Sequence, residues 1–132
     1  MKVLALDFGR ARTGVAVSDA SGTIARPLGV VERAASDDGL AQLVRLIDEH
    51  EAERVVVGLP LTLAGERGEQ AQETERFVAT LKGVTGVPIV TFDERFTTTL
   101  AERDASDIAP EDARAAAHLL STYLTWASGA PA

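Results

Sequence analysis

The segment Arg54-Val55-Val56-Val57-Gly58 limits the fold of this chain more than any other. It is an unbroken apolar run of β-branched residues, with no polar alternation. Such a strand presents neither face to water, so it belongs inside a parallel sheet covered on both sides. The flanking sequence supplies the covers. Leu40, Leu43, Val44 and Ile47 recur at the spacing of one helix face, which predicts an amphipathic helix over residues 37–50. Residues 59–68 read as a loop containing Pro60, Gly65 and Gly68. Ala71, Thr74, Phe77, Val78 and Leu81 mark a second helix, stopped by Gly83 and Gly86. Pro88 opens a short strand, Ile89 to Phe92. A helical turn or two is expected over residues 98–104. Pro110 starts the last helix, whose stripe is Ala113, Ala116, Ala117, Leu120 and Leu124.

The first third of the chain has another pattern. Val3 to Phe8 is a strand, and Gly9 to Gly14 reads as a turn. Val15-Ala16-Val17 begins a second strand that ends near Ser18-Asp19. After a turn at Ser21-Gly22, a third strand runs from Thr23 to Val31. Two tight connections in succession predict an antiparallel meander. The order βββ-α-β-α-β-α gives an α/β protein: a mixed five-stranded sheet, meander plus parallel strands, with helices on both faces. This is the order of the ribonuclease H-like fold. At 132 residues the chain is about one domain, expected over residues 1–127, with a disordered tail at 128–132.

Composition excludes several chemistries. There are no cysteines, which rules out disulfides, thiolate catalysis and cysteine-type zinc sites. No Ser/His/Asp signature, Walker loop or zinc spacing occurs. The N-terminal apolar run is broken at Asp7, too early for a signal peptide or a membrane span, which favours the cytoplasm. The net charge of -7 argues weakly against a nucleic-acid partner, because duplex binding usually leaves a basic footprint. A protein that binds divalent metals must nevertheless carry clustered carboxylates. Lys2 and Lys82 are the only lysines. The remaining cations are arginines, whose planar fork suits phosphate oxygens.

Three groups of acids bear on chemistry. Asp7 shares a strand face with Val3 and Ala5, and an unpaired carboxylate there costs on the order of several kcal/mol. It is either a metal ligand or a cap for the turn at Gly9. Asp93-Glu94 follows the apolar run Ile89-Val90-Thr91-Phe92, at the strand end where open α/β sheets bind ligands. A solvated loop pair beside Arg95 is the alternative. Glu111-Asp112 occupies the first turn of the last helix, where the helix dipole alone can account for acids. Asp112 borders the apolar stripe, so it points towards the sheet. Phosphodiester cleavage by two metals needs carboxylates from separate elements converging on ions roughly 4 Å apart. Those ions favour oxygen ligands and are Mg²⁺ or Mn²⁺.

These residues also carry a resemblance. The opening Leu4-Ala-Leu-Asp-Phe-Gly-Arg-Ala-Arg-Thr-Gly-Val-Ala-Val-Ser-Asp19 resembles that of the YqgF/RuvX family. Val56-Val-Gly-Leu-Pro-Leu-Thr62 with Gly65 and Gly68 resembles its second block. Phe92-Asp-Glu-Arg-Phe-Thr-Thr98 with Ala101-Glu-Arg103 resembles its third. Asp112, Ala115-Ala116, Leu119-Leu120 and Tyr123-Leu124 resemble its closing helix. The blocks occur in order over nearly the whole chain. The resemblance implies a ribonuclease H-like fold and catalytic, metal-holding acids at Asp7, Glu94 and Asp112. Family members are described as Holliday-junction resolvases and as nucleases maturing the 5′ end of pre-16S ribosomal RNA. The expected substrate is structured RNA, with branched DNA as the alternative and ribosomal precursor particles as further partners. A non-catalytic ribosome-assembly module is the third reading. Monomer and homodimer both remain open. One departure stands out: residues 104–111 are short and acidic, where the family carries a longer basic stretch.

Arg10, Arg12, Arg67 and Arg95 are the candidate phosphate contacts. Arg10 and Arg12 lie in the loop Gly9 to Gly14 beside Asp7, which has backbone N–H groups to offer. This loop is similar to the phosphate loop of actin-like ATPases and sugar kinases, but those use two such domains. Arg67 stands before a helix N-terminus, a position that binds anions. Asp93 is a candidate for a supporting carboxylate, and Thr97-Thr98-Thr99 for a helix cap. His50 at a helix end and His118, off the face of Asp112, are not assigned to chemistry. Tyr123 and Trp126 are expected to pack rather than to stack on bases.

Overall fold

The computed structural model describes residues 1–62, 64–94 and 111–129. It contains β1 (Val3–Asp7), β2 (Arg12–Ser18), β3 (Ala25–Glu32), α1 (Asp37–Glu49), β4 (Arg54–Leu59), α2 (Glu69–Lys82), β5 (Ile89–Asp93) and α3 (Glu111–Ala127). The strands form one mixed sheet in the order β3-β2-β1-β4-β5. β1 pairs antiparallel with β2 and parallel with β4; β5 runs parallel to β4. This is the expected ribonuclease H-like arrangement.

Alternation along the strands builds two apolar layers. Leu4, Leu6, Val55, Val57 and Ile89 face one side, with Leu43 and Ile47 of α1 and Phe77 and Leu81 of α2. Val3, Ala5, Val56 and Phe92 face the other, beneath Leu119, Leu120 and Tyr123 of α3. The central strands therefore have no wet face, as their β-branched composition requires. Ser36 caps α1 by accepting the N–H of Gly39, and His50 closes its C-terminus. On the sheet face Phe92 meets Tyr123 edge-on at 5.5 Å. Arg54 donates to the Tyr123 hydroxyl at 3.0 Å, which satisfies a phenol otherwise lost in the core. Trp126 lies tilted 5.6 Å from Phe92 but remains 65% exposed. Ser128 and Gly129 stay hydrogen-bonded to the last turn of α3.

The expected turn from Gly9 to Gly14 needs correction. β2 begins at Arg12, and Thr13 is fully buried opposite Val31. Gly14 is a strand residue, paired with Asp7. It is glycine because α3 lies directly on it: a Cβ there would sit 1.8 Å from the Asp112 carbonyl oxygen. A glycine inside a strand marks close approach of another backbone. β3 starts later than expected, at Ala25, because Asp19 holds the preceding turn by accepting the N–H groups of Thr23 and Ile24. The expected helical turn over residues 98–104 lies outside the described residues.

Gly14→Ala is expected to lower unfolding stability by roughly 1–3 kcal/mol, a typical overpacking penalty. Equilibrium urea denaturation measures it; an unchanged midpoint would show that α3 is not seated on β2 as described.

Candidate active site

Three strand ends meet at one edge of the sheet. β1 ends in Asp7, β4 ends in Gly58-Leu59, and β5 ends in Asp93, with Glu94 directly after it. Asp7, Gly58 and Glu94 share the face that α3 covers. Glu94 reaches across β4 at the position where that strand has no side chain: a Cβ on Gly58 would lie 2.4 Å from Glu94 Oε1. The reach brings the Glu94 carboxyl into hydrogen bonding with Asp7. Two acids from strands that are not neighbours are thereby held against each other.

Their protonation follows from that contact. Burial, the hydrogen bond to Asp7 and the charges of Asp7 and Asp93 push the Glu94 carboxyl up to about 8. Burial also raises Asp7, assisted by the charge of Asp112, while the hydrogen bond from Glu94 opposes the rise. At neutral pH a carboxyl at about 8 keeps its proton, so Glu94 can donate in its hydrogen bond to Asp7, and two adjacent carboxyls resist ionising together. Asp19 shows the contrast. Its oxygens accept from Ser21, Thr23 and Ile24, and these donors hold its carboxyl down at about 2. Asp19 caps a turn; Asp7 has an acid where a cap would have donors.

The pair opens on a cleft of about 590 Å³ lined by Phe8, Gly9, Arg10, Pro60, Glu73 and Thr74, among others. Phe8 stacks on Phe77 at 4.4 Å and fixes the floor of the β1–β2 connection on α2. Arg10 is ion-paired with Glu73. Asp112 occupies the first turn of α3, and its carboxylate lies 3.4 Å from Arg12. It is close enough to act on Asp7 by charge. Among the described residues no three His, Asp or Glu side chains are arranged to hold a metal ion. The structure thus joins two of the three expected acids and gives the third an arginine partner. Arg67 is paired with Glu75 at 3.3 Å. Arg95 and Thr97-Thr98-Thr99 lie outside the described residues, as does residue range 104–110.

Asp7 and Glu94 nevertheless fit a divalent cation. Their donors are hard oxygens, partly buried, and raised by that burial and by neighbouring acids, conditions that a divalent cation would relieve. Two residues that matter here were not singled out from the sequence. Gly58, which ends a β-branched run, carries the general signal of close approach inside a strand. Glu73 gives no signal, because it is 63 residues from the arginine that it meets.

A family model described as "RuvX: Holliday junction resolvase" matches residues 1–126. The chain belongs to the RuvX family. A protein of Chloroflexus aurantiacus named "Putative pre-16S rRNA nuclease" is 44% identical over 117 residues, covering 89% of this chain and 76% of its own. A relative of the same name from Sulfurihydrogenibium sp. is 39% identical, over 93% of this chain and 89% of its own. Thermus thermophilus RuvC, solved with a Holliday junction substrate, superposes with a TM-score of 0.70 over 98% of this chain and 96% of that one. At 18% identity that likeness speaks for the shared fold.

The raised Glu94 sets the sign of a pH effect. Its folded value, about 8, lies above that of an unfolded Glu, about 4.3. The folded protein holds a proton that the unfolded chain has released, so stability falls as pH rises between those values. In metal-free buffer Glu94→Gln is expected to gain roughly 1–3 kcal/mol over the parent at pH 9, allowing for partial exposure, and little at pH 5. Thermal unfolding across that range decides it; a variant with the same advantage at both ends would show that Glu94 is not raised.

Proposed function

We propose that this chain is a metal-dependent nuclease that cuts structured nucleic acid, and that its reaction is maturation of the 5′ end of pre-16S ribosomal RNA. The observation that carries this reading is the hydrogen-bonded carboxyl pair Asp7–Glu94, brought together over Gly58 at an open cleft that Arg10 also lines. Membership of the RuvX family and the names of its relatives support the substrate class.

Asp7 and Glu94 are the residues that would hold Mg²⁺ or Mn²⁺. When bound, such a cation stabilises charge on the scissile phosphate and acidifies water. The remaining work falls to the chain itself. Gly58 leaves room for Glu94 to reach Asp7. Asp93 adds negative charge behind Glu94. Arg10, Arg12 and Arg67 offer guanidinium forks to phosphate oxygens, and Arg95 completes the set. In the two-ion form of this chemistry Asp112 is the third carboxylate. It would then release Arg12 to the substrate. Ribosomal RNA as substrate places the work in the cytoplasm, and no helix among the described residues is long and apolar enough to cross a membrane.

The description of the family model favours a second reading, a junction resolvase. Symmetric cleavage of two strands needs a two-fold pair of active sites, hence a dimer. Precursor ribosomal RNA and a four-way DNA junction, each incubated with Mn²⁺, separate the two. The parent protein is expected to cut the RNA, and Asp7→Asn to cut it slower by on the order of a hundredfold, since even outer partners of a metal site command up to that factor. Symmetric junction cleavage by a dimer would favour the resolvase. Equal cutting by Asp7→Asn would remove the carboxylate pair from the chemistry, and no cutting of either substrate would leave a binding module.

A further inference from the structure

Three of the arginines assigned to phosphate already have anionic partners. Arg10 grips Glu73 with two nitrogens: Nη2 meets Oε1, and Nε donates to Oε2 at 3.4 Å. Arg12 lies 3.4 Å from Asp112, and Arg67 lies 3.3 Å from Glu75. Each of these pairs takes one of the cations assigned to phosphate. A chain of net charge -7 that acts on a polyanion thus neutralises arginines of its own.

The Arg10–Glu73 pair differs from the others in place and form. It stands in the cleft itself, whose lining includes both residues together with Asp7 and Glu94. Its two-pronged contact copies the way a guanidinium grips two phosphate oxygens. The arginine side chain is 80% exposed and that of Glu73 only 22%, so the cation is the partner free to leave. Glu69 lies one turn earlier on α2 and lines the same cleft. A phosphate must therefore displace a carboxylate, not merely approach an open cation.

We propose that Glu73 is a phosphate surrogate: it holds Arg10 in the free protein and gives it up to a nucleic-acid phosphate that enters the cleft. This rests on the nuclease reading and adds the residue that suppresses loose polyanion binding. A strand lying along the outer surface finds neutralised arginines and gains little. A phosphate directed to the cleft mouth replaces Glu73 at the fork, and the released carboxylate is rehydrated at the rim.

Fluorescence anisotropy with a labelled unstructured RNA oligomer, in EDTA so that cleavage does not enter, tests the exchange. Glu73→Gln is expected to tighten binding about 1.4- to fivefold, the range of an exposed ion pair, and to steepen log K against log salt by about one phosphate contact. In an Arg10→Gln background the same substitution is expected to do neither. An equal gain without Arg10 would reveal a general charge effect and overturn the proposal, as would unchanged affinity and slope in Glu73→Gln. If precursor RNA is cut with dependence on Asp7 while Glu73→Gln changes nothing, the exchange fails and the nuclease reading stands. An Arg10-dependent gain without cutting of any substrate upholds the exchange in a protein that only binds.

Discussion

Burial of β1 on every side is the constraint from which the rest follows. It has β2 on one edge and β4 on the other, with Leu4 and Leu6 in one apolar layer and Val3 and Ala5 in the other. A strand fixed in this way fixes whatever ends it. Asp7 is therefore held where its charge is poorly solvated, and it cannot swing out to water as a loop acid would. The partner that arrives is another acid, carried by β5 over a gap left by Gly58. The sheet thus spends stability to hold two carboxyls together, an arrangement common at functional sites and hard to explain as packing.

Two glycines and one helix translate that constraint into a site. Gly14 lets the start of α3 lie on β2, which brings Asp112 within electrostatic range of Asp7. Gly58 opens the path of Glu94. The same α3 covers the sheet face with Leu119, Leu120 and Tyr123, so the packing that stabilises the layer also sets the depth of the acids. On the opposite layer, α2 supports the β1–β2 connection through the Phe8–Phe77 stack and supplies Glu73 to Arg10.

Most of the architecture was legible because it is written in periodicity. Val55-Val56-Val57 required two covered faces, and the spacings of Leu40 to Ile47 and Phe77 to Leu81 supplied helices for one of them. Asp7 was legible as an anomaly, an acid on an apolar face. Gly14 was misread as part of a turn, since glycine signals a break locally, while its contact with Asp112 is tertiary. The pairing of Asp7 with Glu94 followed from family resemblance and strand ends, but the raised Glu94 carboxyl did not. That depends on burial, which no local pattern records. The arginines were expected to meet phosphate by type; the carboxylates they meet were not legible, because Arg10–Glu73 and Arg12–Asp112 join distant parts of the chain.

The hydrogen-bonded Asp7–Glu94 pair is the proposed cation site, and the Glu94 carboxyl, at about 8, keeps a proton at neutral pH until a cation arrives. Binding of Mn²⁺ must then expel that proton. Titration calorimetry at pH 7, in two buffers of different ionisation enthalpy, counts it directly. Saturable binding with close to one proton released per ion is the expected result, as when ligands must deprotonate. Binding with the same heat in both buffers, or no binding at all, would contradict it.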